Sequence, residues 1–252
     1  MLRCMTMMMV CRRAGRDMAI HEQLTTAVGR VRGGEAANRL CEACVDLFHV
    51  DAAAISLVYG GNSGTLGASS QPARLYDELQ FTLGEGPCRD SVARRAPVLV
   101  TDLMDVADVR WPAYGPAMAG HQICSVFAMP VELAGEYVGA LVLYRNRPSS
   151  LGAEEMAGAI VAAELAQLPL LDLLADGLRD PAHDPGGDAW TELHRLTRVE
   201  VSQATGMLID QLDVDAAEAL VRLRAHAYAT NRSATDVAHD ILDNGLLLEI
   251  DK

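Results

Sequence analysis

A chain of 252 residues fits one large domain or two modest ones; half of it is hydrophobic and 22 % is charged, a globular composition that excludes a disordered polypeptide. Its formal net charge of −13 disfavours non-specific adhesion to nucleic acid or to anionic membranes, so any nucleic-acid site must be local and geometric. No apolar run approaches the roughly 18 residues needed to span a bilayer, and the N-terminal MLRCMTMMMVCRRAGRD lacks a proper h-region and cleavage site. The chain therefore reads as cytoplasmic, without membrane association.

Residues 1–17 read as a disordered tail or as an extension upstream of a start at Met18. Six cysteines with no regular spacing read as free thiols of a reducing compartment. Cys41 and Cys44 form one CxxC, but helical apolar spacing surrounds them and no second ligand pair exists, so no metal is expected.

Residues 18–49 carry a helical pattern, broken at Gly33 and Gly34 because glycine is a poor helix-interior residue. The run AAAISLVYGGNSGTLGASS then predicts a hairpin, and Pro72 marks a helix start. Short helices and loops follow up to Gly120, with PVLV strand-like among them. CSVFAMPVELAGEYVGALVLYR predicts two strands joined by a tight turn at Ala134 and Gly135. From this order of elements comes an α+β domain over residues 18–175, a mixed and mostly antiparallel sheet flanked by helices. Residues 151–175 are helical again, with Pro169 expected to kink or interrupt the helix.

The stretch 176–189 holds two Pro, three Gly and four Asp and reads as a solvated linker. Beyond it, residues 190–252 read as three amphipathic helices. The first carries Leu193, Leu196, Ala204, Met207 and Leu208 on one side, with Glu200 as a charge inside the stripe. The second opens on the Asp215/Glu218 pair and presents Ala216, Leu220, Leu223 and Ala227. The third opens on Ser233/Asp236, buries Val237, Ala238, Ile241 and Leu242, and stops at Asn244-Gly245.

At 100° per residue, Arg195, Arg198, Ser202 and Thr205 line up opposite the first apolar stripe. On the second helix Arg222 and His226 share one flank, and Arg224 and Tyr228 the other. An ordinary solvated face and a core or interface tyrosine are the competing structural readings. With six Lys or Arg against eleven acids, this region relies on no bulk attraction for nucleic acid.

The run VSQATGMLIDQLDVDAAEALVRLRAHAYATNRSATDVAHDIL resembles the ANTAR family of transcription antitermination regulators. Gln203-Ala204-Thr205-Gly206, Glu218-Ala219, Leu223-Arg224-Ala225 and Val237-Ala238 carry the resemblance; many members have Lys where this chain has Thr205. LGEGPCRDSVARRAPVLVTDL and RWPAYGPAMAGHQICSVFAMPVELAGEYVGALVLYR resemble a GAF domain of the kind fused to ANTAR domains in actinobacterial regulators.

The first resemblance implies a three-helix domain that binds RNA hairpins as a homodimer, with Arg195, Arg198, Ser202, Thr205, Arg222 and Arg224 as contacts. The second implies a sensor with a possible small-molecule ligand and an unknown cofactor requirement. Cys88, near a helix N-terminus whose dipole lowers a thiol pKa, and Trp111 and Tyr114, which supply scarce aromatic surface, are the ligand candidates; plain core packing is the alternative for all three. No catalytic constellation is present: there is no HExxH, no assembled Ser/His/Asp set, and GGNSG lacks the ending of a phosphate loop. The leading expectation is a non-enzymatic, signal-responsive RNA-binding antiterminator, and the runner-up is a module that docks a protein partner through its helical domain.

Overall fold

The computed structural model describes residue 15 and residues 18–59, 62–105, 110–177, 199–230 and 232–248. Helix α1 covers residues 18–28 and α2 runs Gly33–Phe48. The break between them falls at 29–32, where Gly29 takes φ 68, and not at Gly33 and Gly34, which open α2. A left-handed residue ends a helix, and glycine adopts it without a Cβ clash; the glycine penalty applies to helix interiors, which Gly33 and Gly34 avoid.

Five strands follow the expected sites: β1 (Ala52–Tyr59), β2 (Asn62–Ala68), β3 (Val98–Val100), β4 (Ser125–Leu133) and β5 (Glu136–Arg145). They form one sheet in the order β2-β1-β5-β4-β3, with every pairing antiparallel. The β4–β5 turn is Ala134-Gly135 at φ 53 and 88, as the sequence predicts. Period-two alternation sends Ile55, Leu57, Phe127, Met129, Leu141 and Leu143 to one face, where α2, α6 (Ala153–Leu165), α7 (Gln167–Gly177) and Leu24 of α1 bury them. Ala54, Val126, Ala128, Ala140, Val142 and Tyr144 point to the other face, under α3 (Gln71–Leu83), α4 (Pro87–Arg94) and α5 (Tyr114–Gly120).

Small residues let α6 lie close: a Cβ at Gly158 would stand 2.4 Å from the Phe48 ring. The helical stretch Ala153–Leu173 reaches the length and mean hydropathy (1.4) of a membrane span, contrary to the expectation that no run comes near it. Ala159, Ala162, Ala163, Ala166 and Leu170 of this stretch pack into the sheet's core. The helix is interrupted at Ala166, three residues before Pro169, whose missing N–H cannot continue the ladder.

Arg145 is the unforeseen tie of this domain. Only 3 % exposed, it donates to the Phe48 and Ser150 carbonyls at 3.0 Å and pairs with Glu155 at 2.5 Å, joining β5 to the end of α2 and the start of α6.

Helices α8 (Val199–Leu212), α9 (Ala216–Ala229) and α10 (Ala234–Asn244) build a separate core. Asp215 accepts the Glu218 N–H at 2.9 Å, Ser233 and Asp236 close a capping box, and Gly245 ends α10 at φ 66. The Glu218 carboxylate turns to Arg222 instead, at 2.7 Å. Val201, Ala204, Leu208 and Leu212 form the buried face of α8. Met207 leaves the expected stripe and is exposed, because it lies about 100° from Leu208. Ala216 is likewise exposed on α9, where Ala219 joins Leu223 and Ala227 inside. Glu200 sits in the first turn of α8, where the helix dipole favours an acid. The linker expected at 176–189 lies outside the described residues except for the end of α7, as do residues 1–14 of the expected tail.

Candidate functional site

Between the sheet and α3–α5 lies a packed core that gathers all three ligand candidates. Cys88 and Tyr114 are fully buried and Trp111 nearly so. Ser70 caps α3 and Pro72 opens it, which aims Asp77 and Gln80 at the sheet. Asp77, 1 % exposed, accepts from the Ser56 hydroxyl, from Thr65 Oγ1 at 2.6 Å and from Gln80 Nε2 at 3.2 Å. Donors on three elements thus hold a carboxylate where an unsatisfied one would be untenable. Gln80 Oε1 in turn accepts the Cys88 N–H at 2.8 Å, fixing the start of α4. Gly86, at φ 140, leaves the room this needs: a Cβ there would stand 2.7 Å from Gln80.

Glu85 plays the matching part for α5. Its Oε1 accepts the Ala113 and Tyr114 N–H groups, both at 2.7 Å, and so supplies the cap that Ala113 cannot. Trp111 meets Tyr114 edge to face at 5.9 Å, and the Arg110 guanidinium covers the outer face of Trp111 at 4.6 Å. Tyr76 links Tyr144 and His121 in a further aromatic row. The hydroxyls of Ser91, Tyr114 and Tyr144 are buried without a hydrogen bond of ordinary geometry.

The helix-dipole expectation for Cys88 is overturned. Burial, reinforced by the Asp77 carboxylate, pushes its thiol well up, and the weak field of an eight-residue helix cannot offset the loss of solvent. Burial and Asp77 also push the Tyr114 hydroxyl up. Burial thus keeps the Cys88 thiol and the Tyr114 and Tyr144 hydroxyls protonated.

Of the expected RNA contacts, Arg195 and Arg198 lie outside the described residues. Ser202 is exposed on α8 beside Gln203 and Gly206, and nothing stands within 4 Å of where a Gly206 Cβ would be. Thr205 lies on the flank of that face, half-buried, and its hydroxyl donates to the Val201 carbonyl at 2.6 Å. On α9, Arg222 pairs with Glu218, and Tyr228 is 63 % exposed. Arg224 points to the sensor: its guanidinium lies 4.3 Å over the ring of Phe81, at the end of α3. Neither Asp77, Gln80, Glu85 nor Phe81 was among the sequence candidates. Asp77 and Gln80 lie on α3 and Glu85 in the loop after it, and only the fold turns them inward.

Among the described residues no three His, Cys, Asp or Glu side chains cluster as metal ligands would. No curated protein matches the chain. The chain is similar in structure to the GAF domain of an Acinetobacter phosphoenolpyruvate-protein phosphotransferase, at 12 % identity and a TM-score of 0.49, over 64 % of this chain and 97 % of that one. It is also similar to the GAF domain of the Coxiella burnetii phosphoenolpyruvate-protein phosphotransferase (19 % identity, TM-score 0.46, 61 % and 95 % covered). A third similar structure is the type II free methionine-R-sulfoxide reductase of Thermoplasma acidophilum (18 % identity, TM-score 0.41, 54 % and 93 % covered). The GAF domain model matches residues 34–168 and the ANTAR domain model residues 193–242. With more than half its length matched by the first and the three-helix unit by the second, the chain belongs to the GAF family and carries an ANTAR domain, the make-up of a signal-sensing regulator.

Proposed function

We propose that the protein is a cytoplasmic, non-catalytic regulator that binds RNA hairpins through its ANTAR domain as a homodimer and controls transcription by antitermination. The observation that carries this reading is the ANTAR match over residues 193–242 together with an open α8 face at Ser202, Gln203 and Gly206. A second copy would double a sparse basic face, which a domain with five more acids than bases needs. Exposed Ile160, Leu168 and Leu171 on α6 and α7 offer apolar surface for such a pairing. The GAF half senses a small molecule at the packed site of Cys88, Trp111 and Tyr114.

Replacing Arg195 and Arg198 together by Ala should weaken binding of a selected hairpin in a filter titration without lowering the melting temperature. Thr205→Lys should strengthen it. Equal affinity in all three proteins, or tight binding by a monomer in sedimentation, would favour a protein partner instead; the acidic surface and exposed Val221 and Tyr228 supply that alternative. Sensing is tested by a metabolite screen for a rise in melting temperature that Trp111→Ala abolishes.

A further inference from the structure

The last turn of α3 faces two ways. Asp77 and Gln80 are buried in the sensor, bonded to β1, β2 and the start of α4, while the next two residues belong to the other domain. Phe81, 1 % exposed, is part of the three-helix core with Leu223, Ala227 and Ala234, and belongs to neither core of the sensor sheet. Thr82 is 3 % exposed, and its Oγ1 accepts the Ala234 N–H at 3.2 Å. That N–H is one of the groups at the start of α10 with no partner inside the helix, so the sensor supplies its cap from another domain. Arg224 closes the contact: it covers Phe81, and a Cβ at Gly84 would lie 3.8 Å from its Nη1. The C-terminal end of α3, where Gly84 stops the helix at φ 71, is where the helix dipole favours a cation.

We propose that this turn of α3 is a latch that holds the ANTAR domain closed against the sensor and keeps Arg224 from RNA. The clause about Arg224 rests on the RNA-binding reading above; the latch itself rests on the contact. Because Gln80 and Phe81 are neighbours on one helix, a ligand that rearranges Asp77 and Gln80 must move Phe81 with them, and packed interfaces respond by switching between discrete arrangements. Release frees Arg224 and leaves the Ala234 N–H to water.

The test compares the full-length wild type with Phe81→Ala and with Thr82→Val, which keeps the shape and removes the acceptor. Hydrogen–deuterium exchange is followed in peptides covering 78–84, 223–236 and the 125–145 hairpin, and affinity is measured for a hairpin RNA selected from random sequence. Exchange should rise in the first two segments and stay unchanged in the hairpin. RNA affinity should rise about tenfold in Phe81→Ala and about threefold in Thr82→Val. Unchanged exchange in both variants overturns the latch, and faster exchange with unchanged or weaker affinity shows plain packing. Opening with no RNA bound by any of the three proteins overturns the RNA reading and supports the latch. Should Phe81→Ala lose the helical signal of the ANTAR core, Thr82→Val alone decides.

Discussion

At φ 53, Ala134 holds a left-handed conformation that its Cβ opposes, and it does so in a two-residue hairpin turn whose preferred first residue is Asn. Ala134→Asn should therefore raise stability by about 0.5–1 kcal/mol in urea denaturation, with an unchanged m-value. Cys88 yields a chemical prediction. Its thiol is buried and its pKa raised, so it stays protonated across the neutral and mildly alkaline range. Iodoacetamide at pH 8 should modify it no faster than the protein unfolds, whereas half-exposed Cys124 reacts on mixing. Mass-mapped rapid labelling of native Cys88 would contradict this. Turn chemistry of the Ala134-Gly135 kind is legible in a sequence because it is local. The environment of Cys88 is not, since Asp77, Ser56 and Tyr114 arrive from three distant elements.

Helix ends were the most readable elements, for the same reason. Asp215, Ser233 and Gly245 act within one turn of their own position, and the structure puts each where its type belongs. Caps lent from elsewhere were invisible: Glu85 on α5, Thr82 on α10 and Asp172 on α2. Asp172 accepts the Gly33 N–H at 3.3 Å and pairs with Arg32 at 2.5 Å. The Arg32 hydrogen bond is the main cause that lowers its pKa, so this contribution is present above the unfolded value near 4 and fades as pH falls through the lower folded value. Asp172→Asn should flatten that part of the acid dependence and lower stability at pH 7 by about 1 kcal/mol, a modest figure because solvent screens the pair. Arg145 is a larger matter. Arg145→Ala removes the donors of the Phe48 carbonyl and Glu155 Oε1 and should destabilise by about 3–5 kcal/mol, measurable as a melting temperature drop of about 6–20 °C. An arginine at a strand end reads as surface; its burial becomes visible only once α2 and α6 converge on it.

For the whole molecule, two-domain order was plain from the switch between alternating and helical patterns, but the contact between the domains was not. Phe81 follows Tyr76 and Leu79 in one helix, and periodicity cannot say that its ring leaves for a different core. Proteolysis is expected to cut first within 176–189, given its Pro, Gly and Asp content. The two fragments should still elute together on gel filtration, because Phe81 remains in the ANTAR core and Thr82 on α10. Separate elution would show that the contact needs an intact chain. The placement of Phe81 also sets a limit on modularity. Residues 193–242 excised by themselves lose the Phe81 ring that covers Leu223, Ala227 and Ala234, and grafting them onto an unrelated sensor leaves that apolar patch uncovered. A chimera whose RNA binding is to be held in check has to bring an aromatic side chain and a hydroxyl acceptor at the end of the host's own helix, so the unit of inheritance for regulation is the pair of surfaces and not the three helices.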